Sequence, residues 1–388
     1  MSLFDKFAPL AAARADLGAD GTPPVATPIE DIVSAAEGVI GGRKVILAGT
    51  NNYLGLTLNT DVVASARQAL EHYGTGTTGS RMANGSYHAH TSLEQEIGAA
   101  YGWPSAMVFS TGYQANLGTI ATLAGKDDFL LLDSDSHASI YDGAKLGNAQ
   151  TLIFRHNDPE NLDRRLTRLG ADAKRALVVV EGLYSMLGDQ PPLADFVEVK
   201  RRHGAWLLLD EAHSFGVFGD TGIGLGEALG LLDDIDFVVG TFSKSLAGIG
   251  GFCTSPHPKL DLLRLAARPY IFTASPSPAV IAATRTALAR VLTGSDLRAR
   301  LWDNIHRLHG ALNGFGYRLG SDKPGPVAAI ILPDRESALA HWHGLLDNGV
   351  YANLMVPPAT PKGLNLLRLS LSAAHTPEHM DRIIQAFG

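Results

Sequence analysis

Short apolar segments alternate with helical patterns between about residues 60 and 285, and this alternation limits the fold more than any other feature of the sequence. Each segment has about the length of a strand, and a helical pattern separates it from the next. Such alternation predicts an α/β fold with a mostly parallel central sheet and helices on both faces. The segments interpreted as buried strands are residues 106–109, 129–132, 177–180, 206–209 and 237–239.

The pattern changes on both sides of this stretch. Residues 1–59 are irregular and are interpreted as an N-terminal arm. Residues 286–388 begin with one long helix and continue with strands at 327–332 and 366–371. The prediction is an arm, a large α/β domain over 60–285 and a smaller C-terminal α+β domain. A short apolar pattern in the arm suggests a packed segment formed by Leu3, Phe4, Phe7, Leu10 and Leu17.

Composition argues against several functional classes. Acidic residues outnumber basic ones by 39 to 32, and no cluster of Lys and Arg indicates a nucleic-acid partner. The single cysteine, Cys253, cannot close a disulfide within the chain, which fits a reducing cytoplasm. The apolar runs are far shorter than the about 20 residues of a membrane-spanning helix, and the N-terminal residues lack a convincing signal-peptide pattern. A soluble, cytoplasmic protein without a metal site is expected.

Polar residues follow three of the predicted strands directly. They are Asp210-Glu-Ala-His213, Gly240-Thr-Phe-Ser-Lys244 and Asp133-Ser-Asp-Ser-His137. In open α/β sheets, functional groups collect at the carboxyl ends of the strands. A carboxylate, two imidazoles and one lysine are therefore expected at the same edge of the sheet.

Lys244 has neighbours that suit a phosphorylated cofactor. A lone loop lysine is usually a solvated residue, but hydroxyls at Thr241 and Ser243 precede this one and a glycine-rich stretch, residues 248–251, follows it. The hydroxyls and a closely approaching backbone suit a phosphate, and the lysine amine can form a Schiff base with an aldehyde. These features indicate pyridoxal 5'-phosphate (PLP).

The other strand-end residues fit the same cofactor. Asp210 is either a helix cap or the partner of the pyridine nitrogen. A unit charge at ~4 Å with an effective dielectric of ~20 is worth about 4 kcal/mol, or roughly three pKa units, which keeps the ring protonated. His213 is either a buried structural histidine or a hydrogen-bond partner of the phenolic oxygen. His137 is either a polar loop residue or a ring stacked on the cofactor that also meets a substrate carboxylate.

Two glycine motifs need separate interpretation. Ser110-Thr-Gly112-Tyr113 precedes a helical pattern, so its backbone N–H groups can hold a phosphate. Gly74-Thr-Gly-Thr-Thr-Gly79 matches the dinucleotide-binding pattern, but it follows the helical stretch 61–73 where a strand is required. A nicotinamide site is therefore disfavoured.

Together, Asp210-Glu-Ala-His-Ser214 and Gly240-Thr-Phe-Ser-Lys244 at this spacing resemble the α-oxoamine synthases over nearly the whole chain. The resemblance implies a fold-type I PLP-dependent transferase in which Lys244 carries PLP, Asp210 pairs with the pyridine nitrogen and His213 contacts the phenolic oxygen. It further implies a homodimer with shared active sites. By the same resemblance, the phosphate would be held by Gly112, Tyr113, Thr241 and Ser243, and Ser185 would lie near the phenolic side of the cofactor. Thr273 and Ala274 would reach the partner subunit's cofactor, and Arg368 would bind the substrate carboxylate.

Members of this family condense an amino acid with an acyl thioester and release carbon dioxide. Several segments are most similar to bacterial members that take L-serine and a long-chain acyl thioester such as palmitoyl-CoA: residues 79–85, 135–143, 184–189, 268–275 and 357–361. The resemblance thus implies formation of 3-ketodihydrosphingosine, the first step of sphingolipid synthesis, with Lys244 as general base. Alternatives are members that make 8-amino-7-oxononanoate, 5-aminolaevulinate or 2-amino-3-ketobutyrate, and a non-catalytic partner subunit, which would lack the Schiff-base lysine.

Arg368 has support besides the resemblance. Leucines alternate with Arg368, Ser370 and Ser372, which puts the arginine on a polar strand face. The alternative is solvent exposure, but a guanidinium matches a carboxylate bidentately. Bacterial relatives often have an arginine where this chain has Val356, so Arg368 and His137 are the main candidates for binding the substrate carboxylate.

Overall fold

The computed structural model describes residues 2–17, 23–357 and 360–388. Its described residues form two compact units. The large unit contains Asn51–Ser185 and Asp189–Leu301, and the terminal unit contains Met1–Thr50, Met186–Gly188 and Trp302–Gly388. The domain limits at 59/60 and 285/286 remain predictions from the sequence. Part of the 357–361 segment, Pro358 and Ala359, lies outside the described residues.

The strands and α-helices of the described residues are numbered in chain order. The strands are β1 (Asp31–Ser34), β2 (Glu37–Ile40), β3 (Arg43–Leu47), β4 (Ser105–Phe109), β5 (Phe129–Asp133), β6 (Gln150–Phe154), β7 (Ala176–Glu181), β8 (Trp206–Asp210), β9 (Phe237–Thr241), β10 (Gly251–Ser255), β11 (Val327–Leu332), β12 (Val350–Tyr351), β13 (Asn353–Met355) and β14 (Asn365–Ser370). The α-helices are α1 (Ala8–Leu17), α2 (Thr60–Tyr73), α3 (His88–Tyr101), α4 (Gly112–Leu123), α5 (Ala138–Leu146), α6 (Pro159–Leu169), α7 (Leu193–His203), α8 (Leu225–Ala228), α9 (Arg268–Ile271), α10 (Pro278–Thr293), α11 (Ser295–Gly314), α12 (Arg335–Asp347) and α13 (Pro377–Gln385).

A seven-stranded sheet forms the centre of the large unit, in the order β4-β10-β9-β8-β7-β5-β6. Adjacent strands of this sheet are parallel, except that β10 is antiparallel to both β4 and β9. Strands β4, β7, β9 and β10 are buried along their whole length. Continuous apolar runs of this kind are typical of a sheet covered by helices on both faces. The predicted fold class is confirmed.

The carboxyl ends of the parallel strands bring polar side chains together. Glu181 on β7 lies beside Asp210 on β8, and Asp210 lies beside Val239 on β9. Asp133 ends β5, four residues before His137. His137 is the N-cap of α5 and its side chain accepts a hydrogen bond from the Ser139 backbone N–H. This edge of the sheet carries the candidate site.

The terminal unit contains two smaller sheets, β1-β2-β3-β12 and β11-β14-β13. Arg368 lies in the middle strand of the second sheet, opposite Ala329 on one side and Asn353 on the other. It is 4% exposed, and its guanidinium donates to Ser370 Oγ at 3.1 Å. Burial excludes simple solvent exposure as the reason for an arginine at this position.

Three details of the sequence interpretation can be compared with the structure. The expected long helix after residue 285 is two helices, α10 and α11, which are separated at Gly294. The expected packing of the N-terminal apolar residues is wrong for Leu3, Phe4, Phe7 and Leu10, which are exposed; the Leu17 side chain lies outside the described part of the chain. The Gly74–Gly79 motif does follow a helix, since Gly74 is the C-cap of α2.

Within the described ranges, every helix is too short or too polar to cross a bilayer.

Candidate active site

A cavity of about 320 Å³ lies at the carboxyl edge of the large sheet. This volume is at the lower end of the range for small-molecule sites, roughly 300–1,000 Å³. Eight residues singled out from the sequence line it: Gly112, Tyr113, His137, Asp210, His213, Thr241, Ser243 and Lys244. Residues that the sequence interpretation missed also line it, among them Asn116, Ser139 and Glu181.

One end of the cavity has the character of an anion site. The α4 helix begins here, capped by Thr111, whose side chain accepts from the Gln114 N–H. The first N–H groups of a helix lack partners within the helix and attract phosphate. Thr241 Oγ1 and Ser243 Oγ lie 2.9 Å apart beside this start. A Cβ on Gly112 would come within 2.7 Å of the Thr241 Cβ, so the close approach requires glycine.

Tyr113 opens onto this end but its hydroxyl is engaged elsewhere. The hydroxyl donates to Asp142, which also pairs with Lys145 at 3.1 Å. The Tyr113 side chain is 41% exposed. Its backbone N–H, in the first turn of α4, is therefore the group that fits a phosphate.

Asp210 is buried and held through both carboxylate oxygens. Its Oδ1 accepts from the Ala212 N–H at 2.9 Å, and its Oδ2 accepts from Asn116 Nδ2 at 2.7 Å. Both donors are neutral, so they fix the carboxylate without cancelling its charge. A buried carboxylate of this kind favours a cationic partner.

His213 is held by a residue that the sequence interpretation missed. Its Nδ1 lies 2.7 Å from the hydroxyl of Tyr53, which is fully buried. When the Tyr53 hydroxyl donates to Nδ1, the imidazole carries its proton on Nε2. A ligand of the cavity then meets a hydrogen-bond donor.

His137 is fixed at both its backbone and its ring. Its N–H donates to Glu181 Oε1, and its Nδ1 lies 2.8 Å from Ser139 Oγ. Partial burial lowers the pKa of the imidazole below 6.5; the Asp210 charge opposes this shift and the Lys244 charge adds to it. His137 is thus neutral at neutral pH.

Two further buried carboxyl groups flank Asp210. Burial, reinforced by the charge of Asp210, raises the pKa of Glu181 well above its usual range. Burial raises the pKa of Glu211 to about 7, although hydrogen bonds from Ser214, Gly226 and Leu225 oppose the shift. A proton on Glu181 removes a second negative charge from beside Asp210.

A charged network lies beside the site. His156 Nδ1 contacts Asp133 Oδ1 at 2.7 Å, and His156 Nε2 contacts Asp189 Oδ2 at 2.7 Å. Asn157 adds a bond from its N–H to Asp133 and one from Nδ2 to Asp189. The network therefore joins the end of β5, which leads to His137, to the segment after β7.

Four predicted residues are not among those that line the cavity. Thr273 accepts from Gln114 Nε2 at 3.1 Å, and the Ala274 carbonyl accepts from the Ser110 hydroxyl. Ser185 is partly buried in the large unit. Arg368 belongs to the terminal unit. The expected roles of these residues stay predictions.

The chain is similar to known proteins over nearly its whole length. A profile of the aminotransferase class I and II family matches residues 43–387. The chain is 52% identical over 388 residues to a serine palmitoyltransferase of Caulobacter vibrioides (strain NA1000 / CB15N), covering 100% of this chain and 96% of that protein. It is 50% identical over 387 residues to a serine palmitoyltransferase of Sphingomonas paucimobilis, covering 99% and 92%. A solved structure of serine palmitoyltransferase with a PLP internal aldimine has a TM-score of 0.97 and 50% identity, covering 100% of this chain and 98% of that one.

Proposed function

Because this chain belongs to the aminotransferase class I and II family, we propose that its cavity binds PLP and that it condenses L-serine with a long-chain acyl thioester. The products are 3-ketodihydrosphingosine, carbon dioxide and the free thiol when the donor is palmitoyl-CoA. This is the first step of sphingolipid synthesis. The observation that carries the proposal is the combination of Lys244 in the cavity with about half of all residues shared with serine palmitoyltransferases over the full length.

The residues of the cavity fit PLP. The α4 start and the hydroxyls of Thr241 and Ser243 suit the phosphate, and Gly112 leaves the space that a larger residue would fill. The Asp210 carboxylate suits a protonated pyridine nitrogen. Asn116, another residue of the cavity wall, donates to Asp210 Oδ2 at 2.7 Å and so helps to hold that carboxylate in place.

PLP, when bound, supplies an electron sink for the charge left at the amino acid Cα. Lys244 Nζ would attach the cofactor and later remove the Cα proton as general base. Asp210 would hold the proton on the ring nitrogen, and His213 would donate to the phenolic oxygen. His137 would stack on the ring and offer Nε2–H to the serine carboxylate, and Arg368 would be the charged group for the same carboxylate.

We place the enzyme in the cytoplasm as a homodimer with shared active sites. In this arrangement Thr273 and Ala274 reach the partner subunit's cofactor, and Ser185 lies near the phenolic side. The exposed Leu3, Phe4, Phe7 and Leu10 support a weak contact of the N-terminal segment with a membrane surface.

The experiment that tests the proposal is a product assay. Purified protein with PLP is incubated with serine, glycine or alanine, each in combination with acyl-CoA thioesters of several chain lengths, and products are identified by mass spectrometry. We expect a decarboxylated condensation product that is abundant with serine and a long acyl chain and absent for Lys244→Ala. Preferential use of alanine with a short dicarboxylic acyl group, or of glycine, would assign the protein to another reaction of the same type.

A further inference from the structure

A continuous hydrogen-bonded network links Asp210 to His137 across the floor of the cavity. Asn116 Nδ2 donates to Asp210 Oδ2 at 2.7 Å and to Ser139 Oγ at 3.0 Å. Ser139 Oγ in turn lies 2.8 Å from His137 Nδ1. Asn116 is 3% exposed and Ser139 is 1% exposed, so water competes little with these bonds. We refer to these four residues as the Asp210–His137 network.

The direction of every bond in the network is determined by chemistry. A carboxylate only accepts, so the Asn116 atom beside Asp210 is the NH₂ nitrogen and not the amide oxygen. Both hydrogens of that nitrogen are then used, one on Asp210 and one on Ser139 Oγ. Because Ser139 Oγ accepts from Asn116, its own hydrogen is available to His137 Nδ1.

The backbone supports the same assignment for His137. The Ser139 N–H also points at His137 Nδ1, at 3.2 Å. A proton on Nδ1 would face this N–H, so Nδ1 must be the acceptor and the neutral ring must carry its proton on Nε2. Partial burial, which lowers the pKa of His137, acts in the same sense because it favours the neutral ring.

We propose that Asn116 and Ser139 are positioning residues that hold His137 as the Nε2–H tautomer and fix the Asp210 carboxylate through one shared network. The functional part of this inference rests on the proposed function, because Nε2–H is the donor offered to the serine carboxylate and Asp210 is the partner of the ring nitrogen. The two residues differ in reach. Ser139 acts on His137 alone, whereas Asn116 acts on both ends.

Because Ser139 contacts only His137 while Asn116 also contacts Asp210, their variants should affect the binding of serine and PLP differently. Ser139→Ala should raise the dissociation constant for serine about three- to tenfold and leave that for PLP within about twofold, because one neutral hydrogen bond to His137 is lost. Asn116→Ala should raise both constants, that for PLP by about tenfold or more, because a bond to a charged carboxylate is lost. PLP is titrated into apoenzyme, and serine into holoenzyme, while the absorbance of the cofactor is followed.

Two matched variants control for the loss of a buried polar group. Ser136→Ala removes a buried hydroxyl from the segment just before α5, the helix that contains Ser139, and this hydroxyl lies outside the network. Thr119→Ala removes a buried hydroxyl from α4, three residues after Asn116. Neither variant should change either dissociation constant by more than about twofold. Equal effects in Ser139→Ala and Ser136→Ala would overturn the role of Ser139, and an unchanged PLP constant in Asn116→Ala would overturn that of Asn116.

A third readout separates this inference from the proposed function. ¹⁵N-histidine spectra of the holoenzyme at neutral pH, assigned with His137→Gln, report which ring nitrogen of His137 carries the proton. We expect Nε2–H in the wild type and in Ser136→Ala. In Ser139→Ala the backbone N–H of residue 139 still faces Nδ1, so we expect Nε2–H to remain the major form, with a shift of the Nδ1 signal that reports the lost hydroxyl donor. An Nδ1–H or doubly protonated His137 in the wild type would overturn the network whether or not serine is the substrate. Nε2–H together with no binding of serine would keep the network and reject the substrate.

Discussion

His156 is the basis of a quantitative prediction on stability. Its ring is 14% exposed and contacts Asp133 and Asp189 through its two nitrogens. Burial opposes a charge on this imidazole, but the hydrogen bonds and charges of Asp133 and Asp189 outweigh burial and raise its pKa from 6.5 to about 10. The folded protein therefore keeps a proton on His156 that the unfolded chain releases near pH 6.5.

The sign and the size of the effect follow from linkage. A group whose folded pKa is raised stabilises fully below its unfolded pKa and loses this contribution as pH rises toward the folded value. The limiting slope is about 1.4 kcal/mol per pH unit. Solvent screening at the partly open ring reduces it, so we expect the free energy of unfolding to fall by about 2 kcal/mol between pH 7 and pH 9 from this residue. Glu211, whose raised pKa is about 7, acts mainly below this window.

The assay is urea unfolding of the wild type and His156→Gln at pH 7, 8 and 9. Glutamine cannot be protonated, so we expect the stability difference between the two proteins to be largest at pH 7 and to shrink by about 2 kcal/mol at pH 9. His203→Gln, which removes an imidazole in contact with a single carboxylate, Asp163, is the control for the loss of a partly buried histidine. A wild-type minus His156→Gln difference that is constant over this range would refute a charged His156 between two carboxylates.

Three variants test the site itself. Asp210→Asn should keep the fold but lose most turnover, because without the carboxylate the ring nitrogen loses roughly three pKa units of support; near-wild-type turnover with an unchanged melting temperature would contradict this role. Gly112→Ala should weaken PLP binding at least about tenfold by crowding Thr241, whereas Gly76→Ala, whose new methyl group would meet no heavy atom of the described residues within 4 Å, should not; equal PLP dissociation constants would count against the phosphate site. Arg368→Ala should weaken serine binding about ten- to a hundredfold, read from the cofactor absorbance, with PLP binding unchanged; serine binding equal to the wild type would mean that the carboxylate is held elsewhere.

The large sheet could be predicted because burial on both faces leaves a readable pattern. The strand predicted at 129–132 is observed as Phe129–Asp133, and the strand predicted at 177–180 is observed as Ala176–Glu181. The rule that functional groups follow strand ends then placed Asp210 and Lys244 at one edge, and the structure brings them to one cavity. The same rule would have found Glu181, but that strand end carries a single carboxylate with no lysine or histidine beside it.

Other parts of the site leave no local signal in the sequence. Asn116 and Asp210 are 94 residues apart in the chain, and Tyr53 and His213 are 160 residues apart. A single amide or hydroxyl belongs to no sequence motif. The partner of Asn116 is known only once α4 is packed on the sheet, and that of Tyr53 only once the segment after Thr50 is in place. The predicted burial of the N-terminal apolar residues was wrong for a different reason. An apolar pattern predicts burial, but it does not identify the surface against which the residues would pack.

The most direct test of the account is the position of the covalent bond to the cofactor. The holoenzyme is reduced with borohydride, digested, and its peptides are mapped by mass spectrometry, with Lys244→Arg as the control. The account predicts the pyridoxyl group on Lys244 and no labelled peptide in the control. A pyridoxyl group on any other lysine of the wild type, or none at all, would contradict the assignment of this cavity as the active site.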